Sequence, residues 1–326
     1  MGKNIKYFIG PMSKNIVDAI MEFCDNTGNS IGLIASRRQV EWDGGYVNNW
    51  KTLDFSEYVK SGSKKIILQR DHSGPGQGKD DDSGYRSLLE DCSSLDLIHI
   101  DPWKKYPKYE DGLFWTIDMI KYCDSISKNL LYEVGTEEAI RRFEPHELDM
   151  LVTDLKSHLS EELFEKIKYL VIQSGTSLKG VTQTGDYDSN RLLDMILVAK
   201  KYNLLTKEHN GDYIQVQTIK EKFTLGLDSI NIAPEFGLIE TQTYLDEMGN
   251  SDLINRYWEM CYNSKKWVKW VNSDFDPFKN KEELIRISGH YVLSDNRFIS
   301  EIKEKFKDID GKIKVNVTKK LEELHK

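Results

Sequence analysis

The chain has 326 residues, 39% of them hydrophobic and 30% charged, enough for one large core with appendages. A formal charge of −8 argues against a nucleic-acid partner, which needs a basic face to neutralise phosphates. It leaves an anionic small substrate open, because a few local cations set the potential inside a pocket.

In chain order, eight short runs rich in Ile, Leu or Val read as strands: Lys6–Ile9, Ser30–Ala35, Lys65–Arg70, Leu97–Ile100, Leu130–Val134, Tyr169–Ile172, Leu204–Lys207 and Ser229–Ala233. They lack clean alternation, as expected of parallel strands buried on both faces. Amphipathic helix patterns lie between them. One stripe is Ile16, Ile20, Met21 and Phe23; a second is Leu113, Ile117, Met119, Ile120 and Tyr122; a third is Leu192, Leu193, Ile196, Leu197 and Ala199. Strand alternating with helix eight times over roughly 250 residues predicts an α/β fold, a closed (β/α)8 TIM barrel. An open dinucleotide-binding sheet would want a GxGxxG turn after the first strand, and Ile9-Gly10-Pro11-Met12 does not supply it. The barrel is expected over residues 1–238 and a helical extension packed on it over 239–326. In the extension Trp258, Tyr262, Trp267 and Trp270 fit one packed surface, and the Lys- and Glu-rich stretch from Lys303 to Lys326 reads as a solvated helix.

The strand ends carry the chemistry. In a (β/α)8 barrel the loops at the carboxyl ends of the strands converge on one mouth. Asp71-His72 follows the third run and precedes the turn Ser73-Gly74-Pro75-Gly76. An isolated Asp-His pair more often caps a helix, but Glu208-His209, followed by Asp212 and Tyr213, stands in the corresponding place several strands later. Glu133 is an inward position near the top of the fifth run, where burial demands a cation or donors; Glu137 lies just past it, free to enter the mouth or to serve as a helix-start charge. His72, His209 and one or both of Glu133 and Glu137 thus suit a divalent cation, zinc by donor type. Further along the mouth, Gln39 before Gly44-Gly45 suits sugar hydroxyls. Gln173 ends the sixth run, and the loop Ser174-Gly175-Thr176-Ser177-Leu178-Lys179-Gly180 could cradle a phosphate with backbone N–H groups and one cation. Asp80-Asp81-Asp82 reads as a solvated loop, since three adjacent Asp cannot all face one ion.

Taken together, these segments resemble the Z-subunit family of class II tagatose-bisphosphate aldolases, some of whose members carry the name tagatose 6-phosphate kinase. Gln39-Val40 with Gly44-Gly45-Tyr46, Arg70-Asp71-His72-Ser73-Gly74-Pro75, Ile98-His99-Ile100-Asp101, Val134-Gly135-Thr136-Glu137 and Lys207-Glu208-His209-Asn210-Gly211-Asp212-Tyr213 look like five of that family's motifs, in order, between about Ser30 and Glu235. The resemblance implies that His72, Glu137 and His209 are metal-site residues and that Asp71 stands where class II aldolases place their proton-transfer acid. Departures exist. Glu133 fits the Glu-Leu-Gly motif of the wider class II aldolases, their further metal-binding His is replaced by Gln173 or Ser174, and Ile232-Ala233-Pro234-Glu235 adds a carboxylate where the family has Val-Gly-Pro-Ala.

The function expected is metal-dependent opening of the C3–C4 bond of a phosphorylated ketose. The cation polarises the carbonyl and an adjacent hydroxyl, and Asp71 with Asp212 or Glu235 carries protons. Recombination on the other face gives C4 epimerisation, of the fructose 6-phosphate/tagatose 6-phosphate type, and release gives aldol cleavage. Tyr213 stands with Gln39, Gln173, Ser174 and Lys179 as a substrate contact. The alternative is a non-catalytic subunit that stabilises a separate aldolase chain, so the expected partners are the sugar phosphate and either a second copy or an aldolase subunit. A kinase is disfavoured because no GxxxxGK[ST] loop is present. Four separated cysteines without CxxC spacing, no bilayer-length apolar run and no signal-peptide core in Met1-Gly2-Lys3-Asn4-Ile5 place the expectation in a reducing cytoplasm.

Overall fold

A computed structural model describes residues 5–249 and 251–326, so of the amino-terminal stretch read above only Ile5 lies within it. Eight parallel strands close into a barrel: β1 (Tyr7–Ile9), β2 (Ile31–Ser36), β3 (Ile66–Ser73), β4 (Leu97–Ile100), β5 (Leu131–Val134), β6 (Ile167–Ile172), β9 (Leu205–Glu208) and β10 (Ser229–Ile232), with β10 pairing back onto β1. A small antiparallel hairpin, β7 (Leu178–Lys179) and β8 (Thr182–Gln183), interrupts the loop after β6. All eight expected runs are barrel strands. The largest boundary difference is at β3, which continues past Arg70 to Ser73 and so carries Asp71 and His72 within the sheet.

The barrel interior starts as an apolar floor in which Ile5, Phe8, Ile34, Leu97 and Tyr169 pack together, with Leu131 and Leu205 against them. Gly32 makes room there, since a Cβ on it would fall 2.1 Å from the Phe8 ring. A second, larger core lies between the strands and the surrounding helices. Of the expected stripes, Ile16, Ile20, Met21 and Phe23 are buried, whereas Leu193 and Leu197 are exposed, the inward face of helix Ser189–Lys201 being Leu192, Met195, Ile196 and Ala199.

The helix Pro234–Met248 follows β10 as the last of the helical ring, and four further α-helices, Asp252–Ser264, Lys281–Ser288, Asn296–Lys305 and Ile309–His325, complete the chain. The tail corrects one expectation. Ile309–His325 is not a solvated helix: Ile309, Ile313, Val317, Leu321 and Leu324 form a buried stripe at helical spacing, packed on helices Lys14–Thr27 and Pro234–Met248. Lys and Glu dominate the composition without describing that inward face. Trp258, Tyr262 and Trp267 stack in sequence, with interplanar angles of 22° and 20°.

Arg70 locks the top of β3 to its surroundings. Fully buried, it donates to the Ala35 and Val40 carbonyls at 3.0 and 2.6 Å and to both Asp91 carboxylate oxygens at 2.8 and 2.6 Å. Arg70→Met would leave the Asp91 carboxylate buried and unpaired, and is expected to cost roughly 3–5 kcal/mol in urea unfolding. A loss no greater than about 0.5 kcal/mol, typical of a surface change, would show that Arg70 merely fills space.

Candidate metal centre

Above the apolar floor the inward positions become polar strand by strand. Side chains alternate, so β4 goes from Leu97 to His99, β5 from Leu131 to Glu133, and β9 from Leu205 through Lys207 to His209. The first polar layer is a closed network. Lys207 Nζ donates to Glu133 Oε2 and Gln69 Oε1, both at 2.5 Å, and Gln69 Nε2 donates to the same Glu133 oxygen at 2.5 Å. The ammonium also lies 3.4 Å from the Phe8 ring centroid and 4.2 Å from that of Tyr169. Burial pulls Lys207 down to about 8, against the pull of Glu133. Burial also opposes the charge on Glu133, yet Lys207 and the His99 and His209 rings hold its carboxyl well below the usual range.

Three imidazoles stand on this layer with ring centroids 4.9–5.1 Å apart: His72, His99 and His209. His72 reaches the mouth because β3 breaks register between Arg70 and Ser73 and His72 takes a left-handed φ of 43°. Regular alternation would send adjacent residues to opposite faces; the irregularity turns both Asp71 and His72 inward. Such backbone is costly for a non-glycine residue and tends to occur at functional sites. Each ring has one nitrogen committed away from the centre. His72 Nδ1 lies 2.5 Å from Asp101 Oδ2, His99 Nε2 lies 3.0 Å from the Gly135 carbonyl, and His209 Nε2 lies 2.7 Å from Glu133 Oε1. These contacts fix which nitrogen of each ring turns outward, so His72 Nε2, His99 Nδ1 and His209 Nδ1 face the centre. The His72 backbone N–H donates to His99 Nδ1 at 3.2 Å, a contact that a bound cation would replace.

Asp71 completes the centre. Its Oδ1 is buried without a hydrogen-bond partner, 3.7 Å from His72 Nε2, 3.8 Å from His99 Nδ1 and 3.7 Å from His209 Nδ1. The four donors all lie within 4.8 Å of one another. Tetrahedral bonds of 2.0–2.2 Å require donor separations of about 3.4 Å, so a small contraction would bring the three inner nitrogens onto zinc and leave the fourth position open beside Asp71. Charge argues the same way. Asp71, Asp101, Glu133 and Glu137 face the three rings, with Lys207 the one ammonium among the contacts described above. Burial opposes protonation of His72, but Asp71, Asp101 and Glu137 raise it to about 10. Burial likewise works against the Asp71 charge, and the three imidazoles still hold it below the usual carboxylate range.

Of the residues expected from sequence, the fold brings Asp71, His72 and His209 together. Glu133 is behind them, both its oxygens on protein partners, so it orients His209 rather than facing the centre. Glu137 is at the rim, with Oε2 4.0 Å from His72 Nε2 and 2.8 Å from Asn210 Nδ2. The others have different surroundings. Asp212 Oδ1 accepts the backbone N–H groups of Ala233 and Glu235 at 2.9 and 2.8 Å, and burial raises its carboxyl to about 7. Glu235 bonds Lys320 Nζ at 2.7 Å and the Tyr213 backbone N–H at 2.8 Å. Among the described residues, no hydrogen bond or ion pair joins Asp212, Glu235 or Tyr213 to the imidazoles. Gln173 spends its amide on Phe143, Thr136 and Arg141 backbone groups, and Gln39 on the Ser36 N–H and Met12 Sδ. Ser174 is buried against Glu208 and Lys222, and Lys179 is exposed on the hairpin beside Asn272. The sequence reading gave no role to His99, Lys207 or Gln69. For His99 the signal was parity, since it is the lone polar residue of the apolar strand Leu97–Ile100; Lys207 and Gln69 stand among other polar residues of their strands and carry no such mark.

No protein-family model and no curated protein matches the chain. Solved structures do. A probable tagatose 6 phosphate kinase from Sinorhizobium meliloti 1021 is similar over 99% of both chains, with TM-score 0.78 and 15% identity. The fructuronate-tagaturonate epimerase UxaE from Cohnella laeviribosi covers 100% of this chain with 82% of its own, at TM-score 0.70 and 11% identity. The YdjI aldolase from Escherichia coli K12 covers 95% of this chain with 94% of its own, at TM-score 0.57 and 13% identity. The fold is therefore that of a group of barrels containing aldolases and an epimerase.

His99→Ala should lower the divalent metal bound per chain at least as far as His72→Ala or His209→Ala does, because a lost ligand is not replaced from solvent at equal affinity. Elemental analysis after dialysis checks this; full occupancy in the His99→Ala, His209→Ala double variant would sink the assignment.

Proposed function

We propose that this chain is a divalent-metal-dependent enzyme of the class II aldolase type, related to the tagatose-bisphosphate aldolase Z subunits. It would act on a phosphorylated ketose by opening and reclosing the C3–C4 bond, so that the product is the C4 epimer. The observation that carries this reading is the orphaned Asp71 oxygen at the centre of three imidazoles whose outer nitrogens are all fixed. The epimerase and aldolases among the structural neighbours support the same chemistry. His72, His99 and His209 would hold the ion, zinc by donor type. A cation bound there would supply Lewis acidity to the ketose carbonyl and its neighbouring hydroxyl.

The chain's own groups do the rest. Asp71, kept ionised by the imidazoles, accepts the proton of the C4 hydroxyl. The C3–C4 bond then breaks, its electron pair passing to C3 and onto the C2 carbonyl as an enediolate, and C4 becomes an aldehyde. The aldehyde turns within the mouth, the bond re-forms on its other face, and Asp71 returns the proton to the C4 oxygen. Glu133 and Asp101 keep the rings oriented throughout. Loss of the aldehyde before reclosure would make the same site a simple aldolase.

Asp71→Asn keeps the side-chain size but cannot carry the proton, so turnover should fall by roughly 10²- to 10⁴-fold. Near-normal turnover would reduce Asp71 to a bystander.

Incubation of the metal-loaded chain with fructose 6-phosphate in D2O separates the mechanisms. Tagatose 6-phosphate should form without deuterium at C4, because that C–H bond stays intact. Deuterium at C4 would mean direct deprotonation, and accumulating triose would mean cleavage. Turnover that begins only when an aldolase chain is added would favour the supporting-subunit alternative.

A further inference from the structure

Beside the metal centre the mouth opens into a cavity of about 820 Å³, lined on one side by the β2 and β3 loops and on the other by the helical extension. It adjoins the strand that carries Asp71: Ser36 lines the cavity and is the register partner of Asp71 across β2 and β3. Its walls are cationic. Arg38 and Lys79 come from the loops and Lys265, Lys266 and Lys269 from the extension, against Asp43 as the one lining carboxylate. Asp43 lies 3.8 Å from Lys79, whose Nζ also donates to the Gly44 carbonyl at 2.7 Å. Among the described residues no carboxylate lies within ion-pairing distance of Arg38, Lys265, Lys266 or Lys269. Arg38 donates only weakly, to the Gly78 carbonyl at 3.3 Å.

We infer that this cavity is the subsite for the phosphate end of the substrate, with Arg38 and Lys269 as the pair that grips it from opposite walls. The inference rests on the ketose phosphate reading for the class of ligand, but the site stands on its own lining. Several unpaired cations at one concave surface repel each other and are relieved by a dianion. Lys269 keeps part of its side chain in solvent, yet crowding by the surrounding protein, Arg38 and Lys266 draws it down to about 8, with Glu137 opposing the shift. Lys104 is lowered by burial and by Arg38 in the same way. Arg38 offers a planar fork to phosphate oxygens and Lys269 a point charge. The phosphate therefore belongs between the β2 loop and the extension. In the Ser174–Gly180 loop Ser174 is occupied by Glu208 and Lys222, and Lys179 donates to Asn272.

The test is binding of inorganic phosphate to the full chain, followed by ³¹P line width and by tryptophan fluorescence, since Lys269 Nζ lies 4.3 Å from the Trp270 ring centroid. Lys269→Met and Arg38→Met should each weaken phosphate roughly ten- to a hundredfold, the loss of one charged hydrogen bond, while Lys269→Arg restores most of it. Lys128→Gln, an exposed lysine paired with Asp124, should leave phosphate affinity unchanged. In turnover of a ketose phosphate, Lys269→Met should raise KM far more than it lowers kcat. Phosphate affinity unchanged in both Met variants would overturn the assignment, as would equal affinity for the monocarboxylate glucuronate. Phosphate binding needs no turnover, so a chain that binds phosphate as described but epimerises nothing overturns the functional reading alone.

Discussion

A buried charge pair inside the barrel sets the terms for everything above it. Barrel interiors are normally filled by apolar layers. Here the filling stops at the level of Glu133 and Lys207, which meet at 2.5 Å with no exposure to solvent. Such a pair survives only when every lone pair and proton is used, and Gln69, Phe8 and Tyr169 complete the account for Lys207. Glu133 has one oxygen left over. That oxygen takes the outer nitrogen of His209 and so points the inner one at Asp71. The pair is thus the fixed foundation on which a metal-type donor set is aimed.

The second constraint is backbone geometry at the end of β3. A regular strand can offer the mouth either Asp71 or His72. The broken register and left-handed His72 offer both, and Arg70 holds the segment through hydrogen bonds to Ala35 of β2, Val40 of the loop after it and Asp91. Backbone strain at His72 is offset by a rigid surround, a division of labour common where geometry serves function.

The extension adds to the core and also borders the loops of the mouth. Its last helix buries an aliphatic stripe on the barrel's first and last helices, while the segment from Lys265 to Lys269 borders the mouth. Anchored apolar contacts can therefore hold cations in place that would otherwise separate.

How much of this was legible in the chain follows from range. Strand and helix order came from local periodicity, because burial on both faces of a parallel strand leaves unbroken apolar runs; the eight strands were found for that reason. Asp71, His72 and His209 were visible because each stands at a strand end, a position that sequence marks directly. Asp212 and Glu235 carried the same mark, yet the fold ties them to backbone groups and Lys320. His99, Lys207 and the exposed Leu193 and Leu197 depended on which way a side chain points. That direction is set by barrel closure and strand register, which join residues as far apart in sequence as Gln69 and Lys207. The sequence by itself determined the order of elements and the supply of metal-type donors at strand ends. Only the tertiary structure decided which donors share a centre, because the partner that spends or frees each polar atom lies on a different strand.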